Sequence, residues 1–563
     1  MRIWVLRIMT SAALLVMTNA SAQGPQPVNR TGSNPNYDPG DWISYSVARY
    51  VTSVAVGDQF IYFGTLHSGI TRYDRFQYRW LYAMTTSNGL ADNIISAVAF
   101  DRDTGFLWCA SRTAISFFHP TAERWTNYIK VEFGLSNLDD VESIGVTPNQ
   151  ILFETRAGRL FEVSKFGGIV LVASNGSFSN PPGEIRWFGR RANPRRTNFP
   201  HFFMSNNYLF DPAGFVEDAR FRSAQITTAY EDDWGNLWIG TEGLGAGRGD
   251  VRSLRLEMLD FGLASAAVNA VAFHQGELWI GGVDEFDETH GITVWDMEPD
   301  NWRFIEQRDI GQLRSDHINA FTPDGDDLWL STEFGLTRYS KGDNSWKTFD
   351  SFDGLADNRV FDAATDDSTV WVATANGLNC IPKKHLAMKD SLRFEKVSPG
   401  NLTLVEVYDL ERMENLLWAA TSQGIYVYDT RKREGGFSSD VAGPLDRRVT
   451  TISCYGEEIW FGGVEGIDVY DVKRQQWLGV PEGRFFPNLA INRIVADRAA
   501  VWAGTNQGVM KFDRKSRSWR TFNVDDGLLD NHVNAILLDK DHIWFGTDRG
   551  LTRFYWNDPN RVD

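Results

Sequence analysis

Cysteine is nearly absent: Cys109, Cys380 and Cys454 are the three in 563 residues. An odd number, with no second Cys or His at ligand spacing, argues against a disulfide framework and against a thiolate metal site. Free thiols are expected, two of them inside strands. Histidine is scarce too, at nine residues, with no HExxH and no pair at i, i+4. Nothing resembles G-x-S-x-G, a P-loop or an EF-hand loop, so those hydrolase, nucleotide and calcium chemistries have no motif to rest on. No catalytic residue, metal or cofactor is assigned. Basic charge is in deficit, 56 Lys and Arg against 73 Asp and Glu for a net −17, which argues against nucleic acid and against anionic membrane surfaces. Beyond the first residues no stretch reaches the ~18 consecutive apolar residues of a transmembrane helix.

The start, "MRIWVLRIMTSAALLVMTNASAQ", carries a shorter apolar run. Arg2 and Arg7 precede an apolar run from Ile8 to Met17 and a small-residue site, Ala20-Ser21-Ala22. That order reads as a secretory signal peptide cleaved between Ala22 and Gln23. The alternative, an uncleaved anchor, meets a run too short to span a bilayer. The cleavage site carries no cysteine, so lipid anchoring is not indicated. The expected location is the periplasm or the outside of a bacterial cell.

Gly (50), Trp (21) and Phe (37) are plentiful, and they recur at fixed places. An apolar-aromatic pair followed by small residues appears as IYFGT (61–65), LWCAS (107–111), ILFET (151–155), LWIGT (237–241), LWIGG (278–282) and LWLST (328–332). It continues as VWVAT (370–374), LWAAT (417–421), IWFGG (459–463), VWAGT (501–505) and IWFGT (543–547). "EIRWFGR" (184–190) is a degenerate twelfth copy. A glycine turn and a third strand follow each copy, as in GLTRYS (335–340) and GIDVYD (466–471), and then an aromatic fourth strand such as SWKTF (345–349). Four short strands at a period of about 40–50 residues predict an all-β protein of radially repeated sheets, with Trp covering the sheet–sheet interfaces. Twelve blades exceed one ring, so tandem β-propellers of 6+6 or 7+5 blades are expected. The expected segments are a leader (1–22), a linker (23–40), a first ring (41–310) and a second ring (311–563). In the alternative, "DWISYSVA" (41–48) supplies the fourth strand missing after "LTRFYWND". One ring is then made from both chain ends, which removes an exposed edge.

"DGLADNRVFDAATDDSTVWVATANGL" (353–378) and "DGLLDNHVNAILLDKDHIWFGTDRGLTRF" (526–554) resemble the two-component regulator propeller repeat. The resemblance covers most of the chain and is weak around 165–222. It implies a ligand-binding, sensor-type propeller. Within these residues no transmembrane helix, β-sandwich module, kinase or receiver domain accompanies the repeats, so the scaffold carries over and the signalling role does not.

Candidate ligand-binding residues are of two kinds. Polar linkers before first strands should gather on one face: Asp92 and Asn93; Asp316 and His317; Asp357, Asn358 and Arg359; Asp530, Asn531 and His532. The alternative is that these Asp and Asn only make side-chain turns. Insertions after second strands should reach the same face, among them the basic Arg190, Arg191, Arg195 and Arg196, suited to a carboxylate-bearing or sulfated ligand. The arginines of the third strands, Arg72, Arg338 and Arg553, are expected to pair with acids of neighbouring blades. The partners left are a carbohydrate or protein ligand and a separate membrane signalling or secretion partner. The favoured reading is a non-catalytic binding scaffold. A propeller lyase or hydrolase acting on polysaccharide or cyclic peptide is one alternative, and a structural part of an envelope or secretion assembly is another.

Overall fold

A computed structural model describes residues 37–563 except 134, 137, 166–171, 175–184, 193–197, 206, 283–290, 388–392, 398–401, 438–447, 465, 480–488, 560, 562 and 563. The expected leader and its cleavage site lie outside the described residues. Among the described residues there are eleven sheets, nine of them four-stranded, and no helix is long and apolar enough to cross a membrane. The three cysteines are free thiols.

Each of the eleven undegraded repeat copies is the second strand of one sheet, from Phe60–Thr65 to His542–Thr547. Their tryptophans explain why: Trp238, Trp279, Trp329, Trp460, Trp502 and Trp544 are among the most deeply buried side chains. Four of these six find the polar partner that burial favours, as in Trp329 Nε1 to Asp324 (3.0 Å) and Trp238 Nε1 to Asp232 (3.1 Å). Trp108, Trp279, Trp418 and Trp502 have none. The Thr that ends the strand closes the next turn. Its hydroxyl donates to the carbonyl of the turn glycine, as in Thr332 to Gly335, Thr505 to Gly508 and Thr547 to Gly550, each at 2.8 Å. The recurring third-strand arginine bonds inside its own sheet instead of to a neighbouring one. Arg338 Nε reaches Asp327 (2.7 Å), and Arg72 donates to the Tyr82 carbonyl (3.3 Å).

The first strand of each sheet is the innermost, and these strands pack side by side. Ala270–His274, Ile318–Asp324, Val360–Thr365, Val407–Met413, Val449–Tyr455, Ile491–Ala496 and Val533–Asp539 follow one another, and the last returns to the first. Seven sheets thus form a closed circuit. The last is completed by Trp42–Tyr45, which pairs antiparallel with Gly550–Tyr555 (Trp42 opposite Phe554, Tyr45 opposite Leu551). The other four sheets centre on Val51–Val56, Ile95–Asp101, Val141–Val146 and Ser223–Glu231. The degenerate repeat copy forms Arg186–Gly189, which adds to the inner edge of Val141–Val146 and also packs on Val51–Val56 and Ile95–Asp101.

Two chain passages join the seven-sheet circuit to the four-sheet group and run antiparallel, with Val47 bridging Gly262. One hydrophobic cluster crosses this junction. It includes Val54, Phe63 and Trp80 on one side and Tyr45, Leu278, Trp295, Trp302 and Trp544 on the other. Trp295 stacks on Trp302 (4.4 Å), and Trp80 meets Phe261 at a tilt (4.8 Å).

Candidate functional site

First strands all start at the same mouth of the seven-sheet channel, so equivalent residues of successive sheets meet there. The residues just before those strands are His317, Arg359, Glu406, Arg448 and His532. One step inward come Asn319, Phe361, Tyr408, Thr450, Asn492 and Asn534. Four consecutive sheets join these side chains into one strip. Glu333 accepts from Asn319 Nδ2 (2.9 Å) and pairs with Arg359 (3.2 Å). The Arg359 guanidinium lies over the Phe361 ring (5.0 Å), and Phe361 meets Tyr408 (5.4 Å). The Tyr408 hydroxyl donates to Glu406 (2.5 Å), and Arg448 covers the Tyr408 ring (5.1 Å). Burial and the Glu406 bond push the Tyr408 phenol up to about 12, so it serves as a donor at neutral pH. Across the mouth His532 Nδ1 meets Asp548 (2.6 Å), which also holds Asn534 Nδ2 (2.8 Å).

The floor beneath is acidic. The inner edge of an innermost strand has N–H groups with no strand to pair them, and side chains of the preceding sheet meet that need. Asp362 accepts from Leu410 N (3.0 Å), Asp409 from Ile452 N (2.9 Å) and Thr451 from Ile494 N (3.1 Å). Glu411 accepts from Cys454 N (3.2 Å), and Arg493 pairs with Asp409 (3.0 Å). Burial, then the neighbouring Asp409 charge, drives the Asp362 carboxyl well above the usual carboxylate range. Burial, then Asp409, pushes Glu411 to about 7. Perturbed carboxyls thus lie beside an arginine, under a rim of guanidinium and aromatic groups. Among the described residues no His/Cys/Asp/Glu group is arranged to hold a metal ion.

Of the predicted residues, the structure places His317, Arg359 and His532 at equivalent rim positions. The acids and amides beside them are engaged in turns. Asp92, Asp357 and Asp530 each accept from the N–H two residues on (3.0, 2.9 and 2.8 Å). Asn93, Asn358 and Asn531 each accept from the N–H seven residues back (2.8, 2.8 and 3.0 Å). Asp316 is buried and accepts from Gln307 N (3.0 Å). Asp92 and Asn93 belong to the four-sheet group, away from this mouth. Arg190 pairs with Glu142, and Arg191 pairs with Glu154 (2.7 Å) while lying over Trp187 (4.4 Å). Carboxylates of the chain already occupy both. Arg195 and Arg196 lie outside the described residues. Sequence reasoning did not single out Phe361, Glu406, Tyr408, Arg448, Asp362, Asp409, Glu411 or Arg493. The available signal was a break in the repeat: first strands that begin VNA (268–270, 533–535) or INA (318–320) elsewhere begin VFD, VYD, VTT and INR here.

Antiparallel four-stranded sheets whose first strands circle an axis define a β-propeller with a polar, aromatic mouth. The family described as two component regulator propeller is matched over residues 220–243 and 527–549. No curated protein matches the sequence. Among solved structures the chain is similar to PorZ, described as an essential bacterial surface component of the type-IX secretion system of Porphyromonas gingivalis. The identity is 13% and the TM-score 0.61, covering 92% of this chain and 87% of that one. It is also similar to the extracellular domain of the putative one component system BT4673 from B. thetaiotaomicron (17% identity, TM-score 0.46, 91% and 71% covered). A third is the extracellular domain of the putative hybrid two component system BT3049 from B. thetaiotaomicron (17%, 0.43, 89% and 74%). At these identities the likeness to PorZ shows the fold.

Proposed function

We propose that the protein is an exported double propeller that works by binding, with its ligand seated at the mouth of the seven-sheet channel. Residues 41–48 together with 264–555 form one ring, and the intervening four-sheet group forms the other. The observation that carries the reading is the connected strip Glu333–Arg359–Phe361–Tyr408–Glu406–Arg448, which spans four sheets on a rigid frame. Guanidinium groups beside aromatic faces suit a carbohydrate bearing carboxylate or sulfate groups. A glycan array with the purified protein tests this. Arg448→Ala or Tyr408→Ala should weaken binding of an acidic glycan at least ten-fold while leaving thermal stability within a few degrees. Turnover of a bound glycan that these substitutions abolish would overturn the non-catalytic reading.

A second reading, a surface component of a secretion assembly, draws support from similarity to PorZ along nearly the whole of both chains. It predicts that the protein co-purifies from the envelope with secretion components; a protein recovered free in the medium counts against it. N-terminal sequencing of the mature protein checks export, with Gln23 as the expected first residue.

A further inference from the structure

Where the four-sheet group meets the seven-sheet circuit, a cavity of ≈ 40 Å³, measured as the space open to the centre of a water molecule, is lined by Arg49, Arg220, Arg222, Tyr208, Asp260 and Phe304 among others. Two of its arginines are matched. Arg220 pairs with Asp309 (2.5 Å) and Glu306 (3.2 Å), and Arg222 with Asp218 (2.7 Å) and Glu306 (3.0 Å). Arg49 differs. It sits on the passage between the two groups of sheets and is 7% exposed, and its Nη1, like that of Arg222, has no hydrogen-bond partner. Its guanidinium faces the Phe304 ring (4.9 Å) and forms no ion pair with any carboxylate of the described residues. A buried, unmatched guanidinium is strongly unfavourable unless something in the cavity answers it.

We propose that this junction cavity binds a small inorganic anion, halide or oxyanion, held by Arg49 with help from Arg222 and the Tyr208 hydroxyl, so that occupancy braces the two groups of sheets. The volume sets the class. It exceeds what one water needs and falls far short of a pocket for a sugar or nucleotide. Burial pushes Tyr208 to about 12, keeping its hydroxyl a donor, and burial also raises the Asp260 carboxyl, which softens its repulsion of an anion. Burial followed by Arg222 lowers Arg49, outweighing the rise that the Glu306 carboxylate causes. The inference is independent of the ligand at the channel mouth.

The test is thermal unfolding of the full protein at constant ionic strength, with chloride, sulfate or phosphate replacing gluconate. A saturable rise in Tm is expected for at least one of these ions, with the half-saturation concentration raised ten-fold or more in Arg49→Met. Arg102→Met, at an exposed site, should keep the wild-type response. An unsaturating response, or one unchanged in Arg49→Met, overturns the proposal, as would be found if water alone bridged Arg49 to Asp260. Should Arg49→Met fail to fold, bromide soaked into wild-type crystals decides. An anomalous peak beside Arg49 supports the site, and a cavity without one overturns it.

Discussion

At the scale of the residue, the acids under the channel mouth perform two tasks that conflict. Asp362, Asp409 and Glu411 satisfy backbone N–H groups of the next sheet, yet they lie close enough together that ionising all of them is unfavourable. Burial and Asp409 raise Glu411 from 4.5 to about 7. Between those values the folded state binds more protons than the unfolded one, so stability falls as pH rises through this window and the loss is complete above it. Glu411→Gln should flatten that slope and raise stability at neutral pH by about 2 kcal/mol. Melting curves from pH 4 to 8 check it, and an unchanged slope would show the carboxyl to be ordinary. Asp362→Asn acts in the same direction, because its carboxyl is raised by the same causes.

At the scale of the element, the second strands were readable because their information is local: Trp, small residue and Thr each have a role within one hairpin. The strand that closes the last sheet was readable from a missing partner. Trp42 is 2% exposed and stacks on Phe554 at 3.9 Å, with Tyr37 against its edge (5.7 Å). A Cβ on Gly550, held at φ 144°, would lie 2.2 Å from the Tyr45 carbonyl, so the turn and the strand fit only with glycine there. Trp42→Ala should lower stability by about 3–5 kcal/mol, and limited proteolysis should then open the segment around Gly550–Tyr555 first. Protection there equal to wild type would contradict the closure. The floor of the candidate site was not readable. An Asp inside an innermost strand looks like an Asp in a turn until the sheets are arranged about an axis. The third-strand arginines misled for a related reason: register across their own sheet, invisible in the repeat, places an acceptor nearer than the next blade.

At the scale of the whole molecule, the two groups of sheets share one hydrophobic cluster and two antiparallel passages, so they should unfold together. A single calorimetric transition is expected for the wild type. Trp302→Ala, which removes a ring stacked on Trp295 and edge-on to Phe261 (5.4 Å), should split it in two or broaden it. A single sharp transition in that variant would place the coupling elsewhere. The pairing of Trp42–Tyr45 with Gly550–Tyr555 also sets an order of events during synthesis. The outer strand of the last sheet emerges from the ribosome long before its partner and waits while the four-sheet group forms. Closing so distant a pair is slow, and the open edge is exposed to association in the meantime. Chains stopped before residue 550 should therefore gather into aggregates while the four-sheet group within them is already protected from protease. The seven-sheet circuit is sealed by the last of its sheets to be made.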